Sequence, residues 1–257
     1  MGVISDPLAR TMLSPLSATF VWSVRHWPST KKPGSVARAG LATRVLWYDA
    51  QVNNALDDGL EQVAVVGAGY DSRAWRLARD NVRFFELDHG ATQRDKMRCA
   101  PSGGPTYVEC DLGSASAAQA LHDHGLDATR PALFVLEGLT MYLTEDVLRS
   151  QLRDLAASSA TGSRIALDFS PPAAAGTARD RRQLRYQRLF RVGSGEGLQL
   201  SVDPAEAARL VERSGWQVVE VTGMKDAARA LVGADAGLPV DAVNAHKSLV
   251  AGRKPAS

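Results

Sequence analysis

The stretch from Gln62 to Asp88 constrains this chain more than any other, because it spells out a βαβ unit within one short run. Val63 to Val66 are apolar and mostly β-branched, the composition of a strand buried on both faces. Gly67-Ala68-Gly69 follows at once, and residues without a Cβ let the backbone turn sharply and let a ligand lie against it. Ser72 to Ala78 reads as helix, Val82 to Leu87 as a second apolar strand, and Asp88 ends that strand. Asp88 lies 21 positions after Gly67. At that interval a βαβ unit sets an acidic side chain beside the ribose of a bound nucleotide.

The glycine pattern departs from G-x-G-x-x-G, since Ser72 holds the third glycine place and Asp71 sits within the turn. A dinucleotide would bring its pyrophosphate to this helix start, where amides and dipole favour an anion. The Asp71 carboxylate would repel it by ~1 kcal/mol at a wet site. S-adenosyl-L-methionine brings no phosphate but a sulfonium, an ammonium and a carboxylate, and it tolerates acidic neighbours. It is the expected cofactor, with S-adenosyl-L-homocysteine as the product.

Beyond this unit, strands are expected over Thr106 to Glu109, Pro131 to Leu136, Arg164 to Phe169, Trp216 to Val221 and Ser248 to Gly252. Helices separate them: Thr92 to Cys99, Ala115 to His124, one capped by Thr144, and one opened by Asp203-Pro204 and ended by Gly215. A helix also begins at Val36, with Leu41, Val45, Tyr48, Val52 and Leu56 along one stripe. The alternation predicts an α/β fold with a Rossmann-like, doubly wound, seven-stranded sheet. With 257 residues the chain suits one domain. Its expected parts are an N-terminal helical cap (1–60), a nucleotide-binding core (61–170), a lid insertion (171–200) and a C-terminal core (201–257).

Four sites share one position relative to these strands. Gly67-Ala68-Gly69, Asp88, Asp111-Leu112 and Glu137 each follow a strand immediately. The carboxyl ends of parallel strands line the ligand crevice, so three carboxylates and a glycine turn converge there. Asp88 would accept from ribose hydroxyls, and Asp111 from the adenine amine while the Leu112 amide faces a ring nitrogen. Glu137 would lie near the methionyl ammonium and the sulfonium.

The runs Ala42-Thr43-Arg44, Val65 to Leu77, Phe85 to Asp88, Glu109 to Leu112 and Glu137-Gly138-Leu139-Thr140-Met141-Tyr142-Leu143 resemble the leucine carboxyl methyltransferase family, in its bacterial small-molecule branch. The resemblance implies a class I methyltransferase fold and O-methyl transfer. It implies that Arg44, a solvated helix arginine on pattern alone, binds the carboxylate of the cofactor. It also implies a second basic residue in the N-terminal region, for which Lys31, Lys32 and Arg38 are candidates. By motif position, Tyr142 and Arg73 are the side chains expected near the transferred methyl. The expected acceptor is a small molecule with a carboxylate, of the secondary-metabolite or polyketide type. A carboxylate, with a pKa of ~4, is already a nucleophile at neutral pH and needs no base. A hydroxyl or phenol acceptor on the same fold and a non-catalytic nucleotide-binding module are the alternatives.

Other features narrow the classes. A net charge of +2 is too mild to imply nucleic acid. The arginine-rich run from Thr177 to Arg191 would suit an anionic acceptor if it forms the lid, and a solvated helix face otherwise. Cys99 and Cys110 have no metal spacing and suggest free thiols in a reducing, cytoplasmic setting. His122 and His124 stand two apart on a helix, a poor metal pair, and no metal is expected. No stretch reads as a signal peptide or membrane span. Asp168-Phe169-Ser170-Pro171-Pro172 lacks the aromatic of an amino-methylating motif and follows the wrong strand, so that chemistry is set aside.

Overall fold

The computed structural model describes residues 8, 35–172, 199–232, 237–243 and 247–256. The lid expectation over 171–200, the arginine-rich run, Lys31 and Lys32 fall wholly or mostly outside them.

The described chain begins with a long helix, α1 (Ser35–Asp57). Strands and helices then alternate: β1 (Gln62–Val66), α2 (Arg73–Arg76), β2 (Arg83–Asp88), α3 (Gly90–Cys99), β3 (Thr106–Glu109), α4 (Ala117–Asp123) and β4 (Leu133–Leu136). A 3-10 turn over Thr140–Tyr142 leads to α5 (Glu145–Ala157) and β5 (Arg164–Phe169). After it come α6 (Pro204–Glu212), β6 (Gln217–Gly223), α7 (Met224–Leu231) and β7 (Ser248–Arg253). The strands form one seven-stranded sheet in the order β3-β2-β1-β4-β5-β7-β6. Neighbours from β3 to β5 pair in parallel, and β7 runs antiparallel to both β5 and β6. This is the expected α/β, class I methyltransferase-like sheet. Its strand order reverses between β1 and β4, which places the crevice outside the carboxyl ends of those strands.

The strands β1, β2, β4, β5 and β7 divide their side chains between two cores, as a two-residue period requires. Ala64, Val66, Phe134, Leu136 and Leu167 face α4, α5 and α6. Val63, Val65, Phe84, Val135 and Ala166 face α1 and α7. The same period carries Asp88, Glu137 and Asp168 onto the α1 side, two residues beyond Glu86, Val135 and Ala166. The helix that packs on this face therefore meets a row of strand-end acids.

Two expectations change. The helix expected over Ser72 to Ala78 is a single turn, Arg73–Arg76, ended by Leu77. Its arginines are held by side chains of α1 rather than by further turns of helix. The helix Met224–Leu231 had no counterpart in the sequence reading. No helix of the described residues is long and apolar enough to cross a membrane.

Candidate cofactor and methyl-transfer site

The glycine turn is tied to the neighbouring strand. The Gly67 and Ala68 amides both donate to the Leu87 carbonyl, at 2.8 and 3.1 Å. Gly67 and Gly69 adopt φ of +69° and +49°, in the left-handed region that favours glycine. A Cβ on Gly67 would stand 2.8 Å from Leu139, whereas one on Gly69 would meet open space. The turn thus presses on the protein at its first glycine and faces the crevice at its second.

Asp88 completes the turn. Its Oδ2 accepts from the Gly69 amide at 2.6 Å and its Oδ1 from the His89 amide at 2.6 Å. Each oxygen keeps capacity to accept a further hydrogen bond. Glu86, two residues earlier on the same face, does not reach it and is instead buried in an ion pair with Lys96. On the adjacent strand end, Asp111 is exposed and accepts from Gly113 N at 2.9 Å. Leu112 is half-buried, and its carbonyl accepts from Gln151 Nε2 at 2.9 Å, which anchors the loop to α5.

Asp71 occupies the place where an anion would bind. Its Oδ1 accepts from the Arg73 amide at 2.6 Å, and its Oδ2 pairs with the Arg73 guanidinium. The first-turn amide that would hold a pyrophosphate is taken by the protein's own carboxylate.

A cleft of about 310 Å³ opens beside this turn. Arg44, Gly67, Ala68, Gly69, Arg73 and Glu137 are among its lining residues. Asp88, Asp111 and Leu112 are not; they stand along the ends of the next two strands. At the centre of the cleft wall, Glu137 is gripped from both sides. Its Oε1 accepts from Arg44 Nε at 2.8 Å, and its Oε2 lies 2.6 Å from Arg73 Nη2. Among the described residues, the two Nη atoms of Arg44 donate no hydrogen bond. Burial disfavours the Arg44 charge, but Glu137 and Asp168 outweigh it and hold its pKa above the ordinary arginine value. Burial acts on Arg73 in the same way, and Asp71, Glu137 and Asp49 override it. Arg73 is 2% exposed, while Tyr142 is half-buried on the 3-10 turn after Glu137. Arg38 is exposed near the start of α1.

Behind the cleft lies a group that the sequence reading missed. Asp168, at the end of β5, is fully buried. Its Oδ1 accepts from Tyr48 Oη at 3.0 Å and from Gly138 N at 2.6 Å, and Lys247 Nζ lies 2.5 Å from its Oδ2. Burial alone would raise this carboxyl's pKa, but Lys247 and Arg44 bring it below the usual range. Asp168 therefore fixes the turn that carries Glu137. Asp49, on α1, accepts from both Arg73 and Arg76. Among the described residues, no group of three or more His, Cys, Asp or Glu side chains could hold a metal ion.

The fold and its strand-end crevice are those of a class I methyltransferase. The family model of leucine carboxyl methyltransferases matches residues 1–156, and the chain belongs to that family. A Frankia alni protein with the provisional name of an S-adenosyl-L-methionine-dependent methyltransferase is 27% identical over 246 residues, 88% of this chain and 80% of that one. Among solved structures, a DUF574 family protein from Streptomyces avermitilis superposes with a TM-score of 0.63 at 19% identity, covering 98% of each chain. A magnesium protoporphyrin IX methyltransferase from Synechocystis, crystallised with S-adenosylhomocysteine, superposes with a TM-score of 0.53 at 14% identity, covering 97% of this chain and 100% of that one.

Proposed function

We propose that this chain is an S-adenosyl-L-methionine-dependent O-methyltransferase that esterifies a carboxylate of a small, anionic molecule of the secondary-metabolite type. The observation that carries the reading is the wall of the cleft, where a paired arginine and glutamate face the glycine turn while Asp71 fills the seat of a phosphate. That donor set fits the cofactor. Arg44 offers two Nη donors for its carboxylate, and Glu137 offers remaining lone pairs for its ammonium. Asp88 serves the ribose hydroxyls, and Asp111 and Leu112 serve the adenine. Gly67, Ala68 and Gly69 let the backbone come close. Because two arginines already neutralise Glu137, it acts as the post that orients Arg44 more than as a free anion facing the sulfonium.

When bound, the cofactor supplies an electrophilic methyl group. An acceptor carboxylate attacks in its ionised form, so the protein's task is to position the two and exclude water. Tyr142, on the turn after Glu137, is the side chain we place nearest the acceptor. Arg73, sealed among three carboxylates, supports the site from behind. None of the described histidines serves as a base in this reading. His122 and His124 engage carbonyls of their own loop and helix, and His89 caps α3 beside Asp88.

The acceptor class is tested by product chemistry. The enzyme is incubated with methyl-labelled cofactor and an extract of its host, and the labelled product is treated with dilute alkali. A methyl ester is expected to release volatile label as methanol. Label that stays on the product would instead mean an ether, and so a hydroxyl acceptor. Independently, Asp88→Ala should weaken S-adenosylhomocysteine binding by ~1.5–3 kcal/mol, roughly ten- to a hundred-fold. Unchanged affinity in the folded variant, by calorimetry, would show that the ribose does not lie on β2.

A further inference from the structure

Four charged side chains form a closed ring that begins and ends on α1: Arg44 to Glu137, Glu137 to Arg73, Arg73 to Asp49. Arg44 and Asp49 belong to the helix, Glu137 to the end of β4, and Arg73 to the single turn α2. Within the ring every edge of the Arg73 guanidinium is held. Nε donates to Asp49 at 2.7 Å, Nη1 pairs with Asp71, and Nη2 lies 2.6 Å from Glu137. The side chain lines the cleft with its three nitrogens already paired, and its orientation decides where Asp71 and Glu137 stand. Those two carboxylates line the cleft, and Asp49 does not.

Asp49 does more than close the ring. Its Oδ1 also accepts from Arg76 Nη2 at 3.1 Å, and its Oδ2 accepts from Arg76 Nη1 at 2.7 Å. It therefore holds two cations that are three residues apart on a four-residue helix. One turn of helix is too short to persist on its own backbone bonds, and two arginines on one turn repel. A single carboxylate from α1 answers both problems. It is mostly buried, at 14% side-chain exposure, so its pairs are poorly screened.

We infer that Asp49 is a positioning residue, which holds Arg73 and Arg76 so that Asp71, Glu137 and, through Glu137, Arg44 are set for the amino-acid end of the cofactor. The inference rests on the S-adenosylmethionine reading above. Its reach is selective, because the nucleoside contacts on β2 and β3 lie outside the ring.

Selectivity is what the experiment reads. Calorimetry compares S-adenosylhomocysteine with 5′-methylthioadenosine, which shares the nucleoside and sulfur but lacks the amino acid. Asp49→Ala is expected to weaken S-adenosylhomocysteine about tenfold or more, the scale of losing a charge-assisted bond that orients its partner. Methylthioadenosine should stay within roughly twofold of wild type, as a site outside the network. Asp49→Asn keeps one acceptor oxygen for Arg73 Nε and removes the charge. It should show a smaller loss in the same direction, and it decides the matter if the alanine variant does not fold. Equal losses for both ligands would reveal a general structural role and overturn the inference, and so would no loss for either. Wild type failing to bind S-adenosylhomocysteine would overturn the cofactor reading itself before any variant is compared.

Discussion

Asp168→Ala is expected to cost about 3–5 kcal/mol at neutral pH, the scale of leaving one member of a buried charge pair alone. For a chain of this size that lowers the melting temperature on the order of 10 °C. The change removes the partner of three groups, the Tyr48 hydroxyl, the Gly138 amide and the Lys247 ammonium, and strands the last two. Tyr48 keeps its bond to the Leu136 carbonyl at 3.1 Å, so the amide and the ammonium carry most of the loss. The folded pKa of Asp168 lies below its ordinary value, so its contribution is present above the unfolded pKa and fades as pH falls through the folded one. The difference in melting temperature between wild type and variant should therefore shrink in acid. Removing Lys247 as well, in Asp168→Asn with Lys247→Met, should cost less than Asp168→Ala alone, because no unpaired charge remains. A variant as stable as wild type would mean that the turn at Gly138 needs no anchor.

The parts of this structure that can be read from the chain are those whose signal is local. Val63 to Val66 and Leu133 to Leu136 are buried on both faces and read as uninterrupted apolar runs. Strand-end acids follow such runs directly, which is why Asp88 and Glu137 can be read from the chain as lying at the carboxyl ends of β2 and β4. Pairs that close over long separations leave no spacing to read. Tyr48 meets Asp168 across 120 positions, and Arg73 meets Asp49 across 24. Yet one signal was present. Asp168 is an acid inside an otherwise apolar strand, one residue short of its end, and Tyr48 sits one helical turn from Arg44. An acid within a strand buried on both faces must be paired or hydrogen-bonded, which marks Asp168 even though the motif around it matches no amino-methylating enzyme. The shortness of α2 was not legible, because what sustains it is a carboxylate on another helix.

Arg44→Ala is expected to weaken S-adenosylhomocysteine by about 2–4 kcal/mol, on the order of a hundredfold, the scale of truncating a mostly desolvated charge pair. Two effects add. The Nη donors proposed for the ligand's carboxylate are gone, and Glu137 loses one of its two guanidinium partners. With Arg73 alone opposing it, Glu137 is freer to approach the ligand's ammonium, which limits the loss and sets its upper bound. Arg44→Lys separates charge from shape. Lysine keeps the positive charge but cannot hold Glu137 and a second carboxylate with one planar fork. It should recover a minor part of the affinity. Adenosine has no carboxylate and should bind both variants as it binds wild type. Loss of adenosine binding would mean that Arg44 supports the whole crevice rather than one end of the ligand. Full S-adenosylhomocysteine affinity in Arg44→Ala would move the ligand's carboxylate elsewhere, toward the N-terminal segment that also carries basic residues. The same arginine thus joins fold to function. It stands on α1 because Trp47, Tyr48, Val52, Ala55 and Leu56 pack that helix on the sheet, while Leu41 of the expected stripe stays exposed, and it faces the cleft because a glutamate follows β4 on that side.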